Sequence, residues 1–146
     1  MSWVGLGENP PDLHGLLSGF FASEDGAVLL FLGTVRDHND GRRVEGLEYE
    51  AYREMGEEVL AAIAGEAEER FGTDRIHVYH RTGRLAVGEV STVIAVATPH
   101  REEAYGASRY IIEEIKKRLP VWKKEKYVGG DTSWVKGHDP GSREGP

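Results

Sequence analysis

The spacing of apolar residues along the chain predicts three helices. A short helix follows Asn9-Pro10-Pro11 and places its apolar residues at positions 13, 16, 17 and 20. A longer helix runs from Met55 to Phe71, with glutamates on its polar face. For the third helix we predict Thr98 as the N-cap, Pro99 as the first helical residue and Pro120 as the stop. The two longer helices are expected to provide most of the helical packing surface.

Other stretches have the patterns of β-strands. Residues 26–33 form an almost continuous apolar run, and a length of about eight is typical of a buried strand. Residues 44–52 alternate apolar and polar side chains, so we expect a half-buried strand that pairs back on the first as a hairpin. The turn chemistry for that hairpin lies in Asn39-Asp40-Gly41. Further strands are predicted at 75–81, 90–97, 121–128 and 131–135.

The remaining segments have weaker patterns. Residues 1–8 allow either a loosely paired strand or a tail, and residues 83–85 and 88–89 are expected to be connections. The order of elements predicts an α+β fold in which two main helices pack on a mixed or antiparallel sheet. The length suits a single domain over residues 1–135, and residues 136–146 have the composition of a mobile C-terminal tail.

The composition narrows the function classes. A formal net charge of −7, with 39% hydrophobic and 29% charged residues, fits a soluble globular protein and argues against general nucleic-acid binding. No apolar run approaches the roughly 20 residues that cross a bilayer, and residues 1–11 lack the features of a signal peptide. We therefore expect a cytoplasmic protein with no membrane partner and no nucleic-acid partner.

The chain has no cysteine. This excludes a thiolate metal site, a cysteine nucleophile and a persulfide carrier, so any sulfur must be brought by another molecule. The six histidines show no spacing typical of metal ligands. We expect neither a metal nor a cofactor.

Two basic residues stand at the start of the third helix, where the helix dipole disfavours cations. His100 and Arg101 lie among the free backbone N–H groups of the first turn, an arrangement that strengthens an anion site. A solvated helix start is the alternative. His100 and Lys116 are sixteen residues apart, which is roughly 24 Å along a helix. One small ligand cannot contact both in one chain, so we favour a site shared across a symmetric dimer over two separate sites.

Lysine is confined to one part of the chain. All six lysines lie at or after Lys116, whereas the earlier part uses only arginine for permanent positive charge. Lys116 lies in the last helical turn, where a basic residue also stabilises any helix. Lys123 shares a strand face with apolar residues, and a desolvated lysine can act as an acid, a base or a nucleophile. The alternative is an edge strand whose lysines prevent aggregation.

Arginine and histidine supply three further candidates. Arg36 follows the first apolar strand and is a candidate anion ligand, although an ion pair with Asp37 or Glu48, or simple solvation, would also explain it. His80 and Arg81 end a predicted strand, where we expect them to make structural hydrogen bonds.

Several stretches together resemble the molybdopterin synthase catalytic (large) subunit family of molybdenum cofactor biosynthesis. The order and spacing of these stretches cover about 110 of 146 residues. The matching segments are GAVLLFLGTVRDHNDG (26–41), LEYEAYREM (47–55), HRTGRLAVGE (80–89), TPHREEAY (98–105) and IIEEIKKRLPVWKKE (111–125).

The resemblance implies an enzyme with a hammerhead-like α+β fold that converts a cyclic pyranopterin monophosphate into the dithiolene pterin. In that family the two sulfurs arrive on a small ubiquitin-like sulfur-carrier subunit whose C-terminal Gly-Gly ends as a thiocarboxylate. The large subunits form a homodimer within a heterotetramer, and the substrate pocket is built across that dimer. Delivery of sulfur by another chain agrees with the absence of cysteine. A pocket built across the dimer agrees with the distance between His100 and Lys116 along the third helix.

The resemblance also implies roles for individual residues. Lys116 and Lys123 match the two lysines of the family's reaction centre. Seven further positions match substrate-binding stretches, with His100 and Arg101 coming from the second copy: Thr34, Val35, Arg36, His100, Arg101, Lys124 and Glu125.

Two other function classes remain open at this point. A non-catalytic dimeric domain could bind a phosphorylated metabolite through Arg36, His100 and Arg101. A structural adaptor could dock an acidic protein on its lysine-rich segment. Neither alternative requires Lys116 or Lys123 for turnover.

Overall fold

The computed structural model describes residues 2–130 and 132–136. Helices and strands alternate along most of this length, and no helix in it is long and apolar enough to cross a membrane. The elements are β1 (Trp3–Gly7), α1 (Leu13–Leu17), β2 (Ala27–Thr34), β3 (His38–Asn39), β4 (Arg42–Ala51), α2 (Arg53–Phe71), β5 (Ile76–Arg81), β6 (Gly83–Ala86), β7 (Val90–Thr98), α3 (Arg101–Arg118), β8 (Val121–Tyr127) and β9 (Thr132–Lys136).

The first sheet has the strand order β1-β5-β7-β2. The β1–β5 pair is parallel, and the β5–β7 and β7–β2 pairs are antiparallel. Strand β7 lies inside this sheet and is buried from Ser91 to Thr98, which agrees with its continuous apolar sequence. The N-terminal segment, whose pattern was ambiguous, is therefore a paired strand.

The second sheet is built around β4. Strand β8 pairs antiparallel with β4, and β9 continues the sheet beyond β8. Strands β3 and β6 also pair with β4, so residues 83–85, expected to be a connection, belong to a strand. Lys136 ends β9, and the rest of the predicted tail lies outside the described residues.

Helices α2 and α3 pack together with the first sheet to form the main core. Leu60 and Ile63 of α2, Ile111 of α3 and Ile94 of β7 are at most 1% exposed in this core. Helix α2 ends at Gly72, whose left-handed backbone (φ 67°) suits glycine at the end of a helix. The prediction of an α+β fold with two main helices on a mixed and antiparallel framework is confirmed.

The predicted hairpin between the first two long strands is wrong. Strand β2 pairs with β7, whereas β4 belongs to the second sheet. The physical reason is that β2 is apolar on both faces and pairs with the buried β7, although β2 itself is mostly half-buried, with Val28 and Leu32 exposed, and is not the buried strand predicted. Its Leu29 packs against the main core, and Leu30 packs beside Phe20 on the other side. The alternating β4 fits a sheet with one open face.

A much shorter hairpin joins β3 to β4. Asp40 (φ 50°) and Gly41 (φ 76°) form its two-residue turn, and His38 and Asn39 pair with Arg43 and Arg42. Positive φ at both turn residues is the geometry that the right-handed twist of a hairpin favours. The predicted turn chemistry is confirmed, but it serves β3 and β4 only.

The start of the third helix also differs from the prediction. Thr98 is the last residue of β7, paired with Ala27, and helix α3 begins at Arg101 with His100 as its N-cap. The Thr98 hydroxyl donates to the His100 carbonyl (2.5 Å) instead of capping a free N–H group. The ladder with β2 holds Thr98 in the strand, which moves the helix start by two residues.

Candidate active site

Strand β8 carries two charged side chains into the interior. Lys123 and Glu125 lie on the same face as Val121 and Tyr127, and all four are buried. Trp122 and Lys126, at alternate positions, are exposed. The alternation predicted after Pro120 is confirmed, and it places a lysine and a glutamate among apolar residues.

Lys123 and Glu125 belong to a buried polar cluster that also includes Asn39. They are 4% and 2% exposed, and Lys123 Nζ lies 3.7 Å from Glu125 Oε1. The Asn39 amide Nδ2 donates to the same oxygen at 2.6 Å. A buried carboxylate needs such partners, because water no longer solvates its charge.

A narrow cleft of about 20 Å³ connects this cluster with the end of β2. The β2 end brings Thr34, Val35 and Arg36 to the same cleft as Lys123 and Glu125. Five of the predicted site residues, from two distant parts of the sequence, therefore meet in one place. The residues that line the cleft are Thr34, Val35, Arg36, His38, Asn39, Val44, Leu47, Tyr49, Lys123 and Glu125.

Lys116 approaches the same place from the last turn of α3. Burial, together with the nearby charges of Lys123 and Arg36, lowers its pKa from 10.5 to about 7. Three basic side chains, from α3, from β8 and from the segment after β2, thus share one electrostatic environment. A lysine with a pKa near 7 is present in both protonation states at neutral pH, which suits proton transfer.

His100 and Arg101 do not join this group within one chain. They are exposed at the start of α3, whereas Lys116 lies in its last turn. The helix has 18 residues and is therefore about 27 Å long. The first sheet also separates the start of α3 from the cleft. Thr98, two residues before His100, pairs with the first residue of β2, whereas the cleft lies at the last residue of β2, which pairs with Val90.

Lys124 also lies apart from the cluster. It projects from the other face of β8, where its ammonium is 5.3 Å from the centre of the Trp134 ring. There it lines a wider cleft of about 310 Å³ together with Arg84 and Lys126. Strand alternation separates Lys124 from Lys123, although the two are adjacent in sequence.

The chain can now be compared with known proteins. The family described as MoaE protein matches residues 6–118. The chain belongs to this family. A molybdopterin synthase catalytic subunit from Halalkalibacterium halodurans is 49% identical over 110 residues, which cover 75% of this chain and 70% of that protein.

Solved structures related to the MoaE fold agree. Molybdopterin synthase from Staphylococcus aureus superposes with a TM-score of 0.83 at 37% identity, covering 89% of this chain and 94% of that one. A complex of subunits 1 and 2 of molybdopterin-converting factor from Helicobacter pylori has a TM-score of 0.68 over 98% of this chain and 93% of that one. Its identity of 20% shows a shared fold alone.

These matches confirm the family resemblance and the prediction of an enzyme with a role in molybdopterin synthesis. Relatives named as catalytic subunits favour that enzyme over a non-catalytic binding domain or an adaptor. The roles of individual site residues in this MoaE chain stay predictions.

The structure adds residues to the site that the sequence did not indicate. Burial and the nearby charge of Glu125 raise the pKa of Tyr49 to about 12, against the effect of a hydrogen bond with Ser91. The Tyr49 ring meets His80 edge-on, with centroids 5.0 Å apart. In the sequence, Tyr49 occupies one of the apolar positions of an alternating strand. That alternation predicts its burial but not the polar groups that surround it.

The expected structural hydrogen bonds of His80 and Arg81 are confirmed. His80 Nδ1 donates to the Arg81 carbonyl (2.7 Å), and Arg81 pairs with Glu89 (2.6 Å). Burial lowers the pKa of His80 to about 4, and the charge of Lys116 contributes. His80 is therefore neutral at physiological pH and adds no fourth positive charge to the site.

No three His, Asp or Glu side chains in the described part of the chain form a metal-binding cluster.

Proposed function

We propose that Lys116, Lys123 and Arg36 form the centre of a sulfur-transfer site. The donor is the thiocarboxylated C-terminus of a small ubiquitin-like subunit, and the acceptor is a cyclic pyranopterin monophosphate that becomes the dithiolene of molybdopterin. The observation that carries this proposal is that Arg36 and Lys123 line one narrow cleft, and that Lys116 lies close enough for their charges to act on it, with its pKa at about 7.

The chemistry of each component suits this site. A thiocarboxylate is an anion at neutral pH, so Lys116 and Lys123 can hold it and stabilise the charged tetrahedral intermediates of transfer. Lys116, present in both protonation states near neutral pH, can donate the proton that a leaving oxygen requires.

The substrate phosphate needs positive groups beside the two lysines. Arg36 supplies one, and we propose that His100, Arg101 and the free N–H groups of the first turn of α3 come from a second copy of the chain. Within the described residues β2 is the last strand of the first sheet, and its Val28 and Leu32 are 42% and 36% exposed.

A two-fold axis at the β2 edge would make the shared site possible. Antiparallel pairing of β2 with its copy brings the first residue of one strand beside the last residue of the other. Because Thr98 pairs with the first residue of β2, the start of α3 from one copy then approaches Thr34 and Arg36 of the other. We propose this homodimer as the centre of a heterotetramer with the small subunit.

A single-turnover assay tests the transfer. Purified chain, thiocarboxylated small subunit and precursor pterin are combined, and wild type is compared with Lys116→Ala and Lys123→Ala. We expect each variant to lose about 100-fold or more in rate, because each removes a charge or proton donor at the reacting atoms. Lys126→Ala is the matched control, since Lys126 is 63% exposed on the other face of β8.

Wild type that binds both components and transfers no sulfur would contradict the proposed reaction.

A mixing experiment tests the shared site. Lys123→Ala chains are mixed with chains carrying both His100→Ala and Arg101→Ala, each inactive alone. Random exchange makes half of the dimers mixed, each with one intact site, so about a quarter of wild-type activity should return. No recovery despite subunit exchange would place both sets of residues in one chain.

A further inference from the structure

Asn39 occupies a position that its hairpin alone does not explain. The two turn residues with positive φ are Asp40 and Gly41, so the turn itself does not require an asparagine at position 39. Yet Asn39 is only 8% exposed, and its amide reaches β8 to donate to Glu125, 86 residues later in the chain. The amide nitrogen must be the donor, because a carboxylate only accepts.

The position of the Glu125 carboxylate follows from this contact. Its Oε1 lies 2.6 Å from the Asn39 amide and 3.7 Å from Lys123 Nζ. A direct ammonium–carboxylate hydrogen bond is about 2.7–2.9 Å long, so the Lys123 ion pair is looser than such a bond. Oε1 therefore lies within hydrogen-bond distance of the neutral amide and outside that of the Lys123 ammonium.

We infer that Asn39 is a positioning residue for Lys123 and acts through Glu125. Its amide holds the carboxylate back, which keeps the Lys123 ammonium buried and charge-compensated but not locked in a direct ion pair. The ammonium thereby stays available for an anion in the cleft. This inference rests on the proposed function only in assigning Lys123 to the reacting atoms.

Other charged and titratable groups face the same cluster, and the experiments leave them unchanged. They come from the end of β2, from β3, from β4 and from α3: Arg36, His38, Tyr49 and Lys116.

The first experiment compares the kinetics of Asn39→Ala with wild type in the single-turnover assay. We expect the rate at saturating precursor to fall about 10-fold while the half-saturating concentration changes less than about 2-fold, because Lys123 is then held by Glu125. Gly41→Ala is the matched control. It strains the same turn through a φ of 76° but leaves the amide in place, so its rate should stay near that of wild type.

Asn39→Asp gives a signature that a merely structural role would not produce. Two adjacent buried carboxyl groups share a proton at low pH and repel each other once both ionise. The protonated pair keeps one hydrogen bond and one negative charge, as in wild type. We therefore expect the rate of Asn39→Asp, relative to wild type, to fall as the pH rises from about 5.5 to 8. A constant ratio across that range would overturn the inference.

The second experiment does not depend on sulfur transfer. Wild type and Asn39→Ala are treated briefly with acetic anhydride, and acetylation of each lysine is measured by mass spectrometry. In Asn39→Ala, Lys123 should be acetylated at least about 3-fold more slowly than in wild type. The reason is that a tighter ion pair favours the unreactive ammonium. The exposed Lys126 should react equally in both proteins.

The two experiments separate the possible failures. Slower acetylation of Lys123 in Asn39→Ala than in a wild-type protein that transfers no sulfur would support the Asn39 contact while the proposed reaction fails. Equal acetylation of Lys123 in Asn39→Ala and wild type would overturn the inference even if sulfur transfer is observed. An equal loss of rate in Gly41→Ala and Asn39→Ala would assign the effect to the stability of the hairpin and would also overturn it.

Discussion

Strands β7 and β8 both run through the interior, and they differ in what they bury. From Ser91 to Thr98, β7 is buried at every position, and its side chains are apolar or small hydroxyls. Strand β8 buries alternate residues, and two of the four are Lys123 and Glu125. The first arrangement stabilises the fold by removing apolar surface from water. The second removes charged groups from water, which costs local stability, and it carries Lys123 into the site proposed for sulfur transfer.

The largest expected effect on folding lies in β7. Ile94 is 0% exposed, and Ile94→Ala should lower the free energy of unfolding by about 2–5 kcal/mol, through lost burial and the cavity left behind. Urea denaturation followed by circular dichroism measures it. Val28→Ala on the neighbouring β2 is the control, because Val28 is 42% exposed and should cost far less. Similar losses in both variants would contradict the assignment of β7 to the main core.

Buried charge in β8 should behave differently from buried apolar surface in β7. Lys123→Met alone leaves Glu125 without its cation and should cost about 3 kcal/mol of unfolding free energy. Adding Glu125→Leu should recover part of that loss, since it removes the unpaired carboxylate but leaves the Asn39 amide without its acceptor. Sulfur transfer should remain at least about 100-fold below wild type in both proteins. A double variant less stable than Lys123→Met would show that the bond from Asn39 to Glu125 outweighs the cost of the unpaired carboxylate.

Lys116 should make stability depend on pH above neutrality. Its pKa is lowered in the folded chain from 10.5 to about 7, so the unfolded chain binds more protons between these values. The free energy of unfolding should therefore rise as the pH increases from about 7 to 10, with a slope of at most about 1.4 kcal/mol per pH unit from this residue. Lys116→Met should remove that part of the slope. An unchanged slope in urea titrations at several pH values would contradict the burial of Lys116.

The smallest effect is expected where charges meet at the surface of the helices. Arg118 of α3 pairs with Glu66 of α2 at 2.7 Å, but their side chains are 34% and 39% exposed. Arg118→Ala should lower the free energy of unfolding by only about 0.5 kcal/mol, and high salt should reduce the difference, because exposed ion pairs are screened. A loss above about 2 kcal/mol would show that this pair resembles the buried one in β8.

The sequence predicted the elements better than their pairing. Helical spacing gave α2 within two residues of its observed start and at its observed end. The pairing of β2 with β7 was missed because a continuous apolar run shows burial on both faces but does not specify which strand lies beside it. The start of α3 was misplaced because Thr98-Pro99 has good capping chemistry, and only the ladder with Ala27 keeps Thr98 in a strand.

The candidate site was predicted only in part, because the local pattern does not specify contacts between segments far apart in the chain. Five of the nine predicted residues meet at the cleft and Lys116 joins them electrostatically, whereas Lys124 lies on the opposite face. His100 and Arg101 stay about one helix length away, as their spacing required. Asn39 was missed as part of the site because asparagine before Asp-Gly is already explained by a turn.

The sequence by itself determined the properties that depend on local periodicity. The two-residue period of β8 turns Lys123 and Glu125 inward together, and the length of α3 separates His100 from Lys116. Only the tertiary structure decided which groups surround them. The lowered pKa of Lys116 and the bond from Asn39 to Glu125 depend on burial and on contacts between segments far apart in the chain, which the local pattern does not encode.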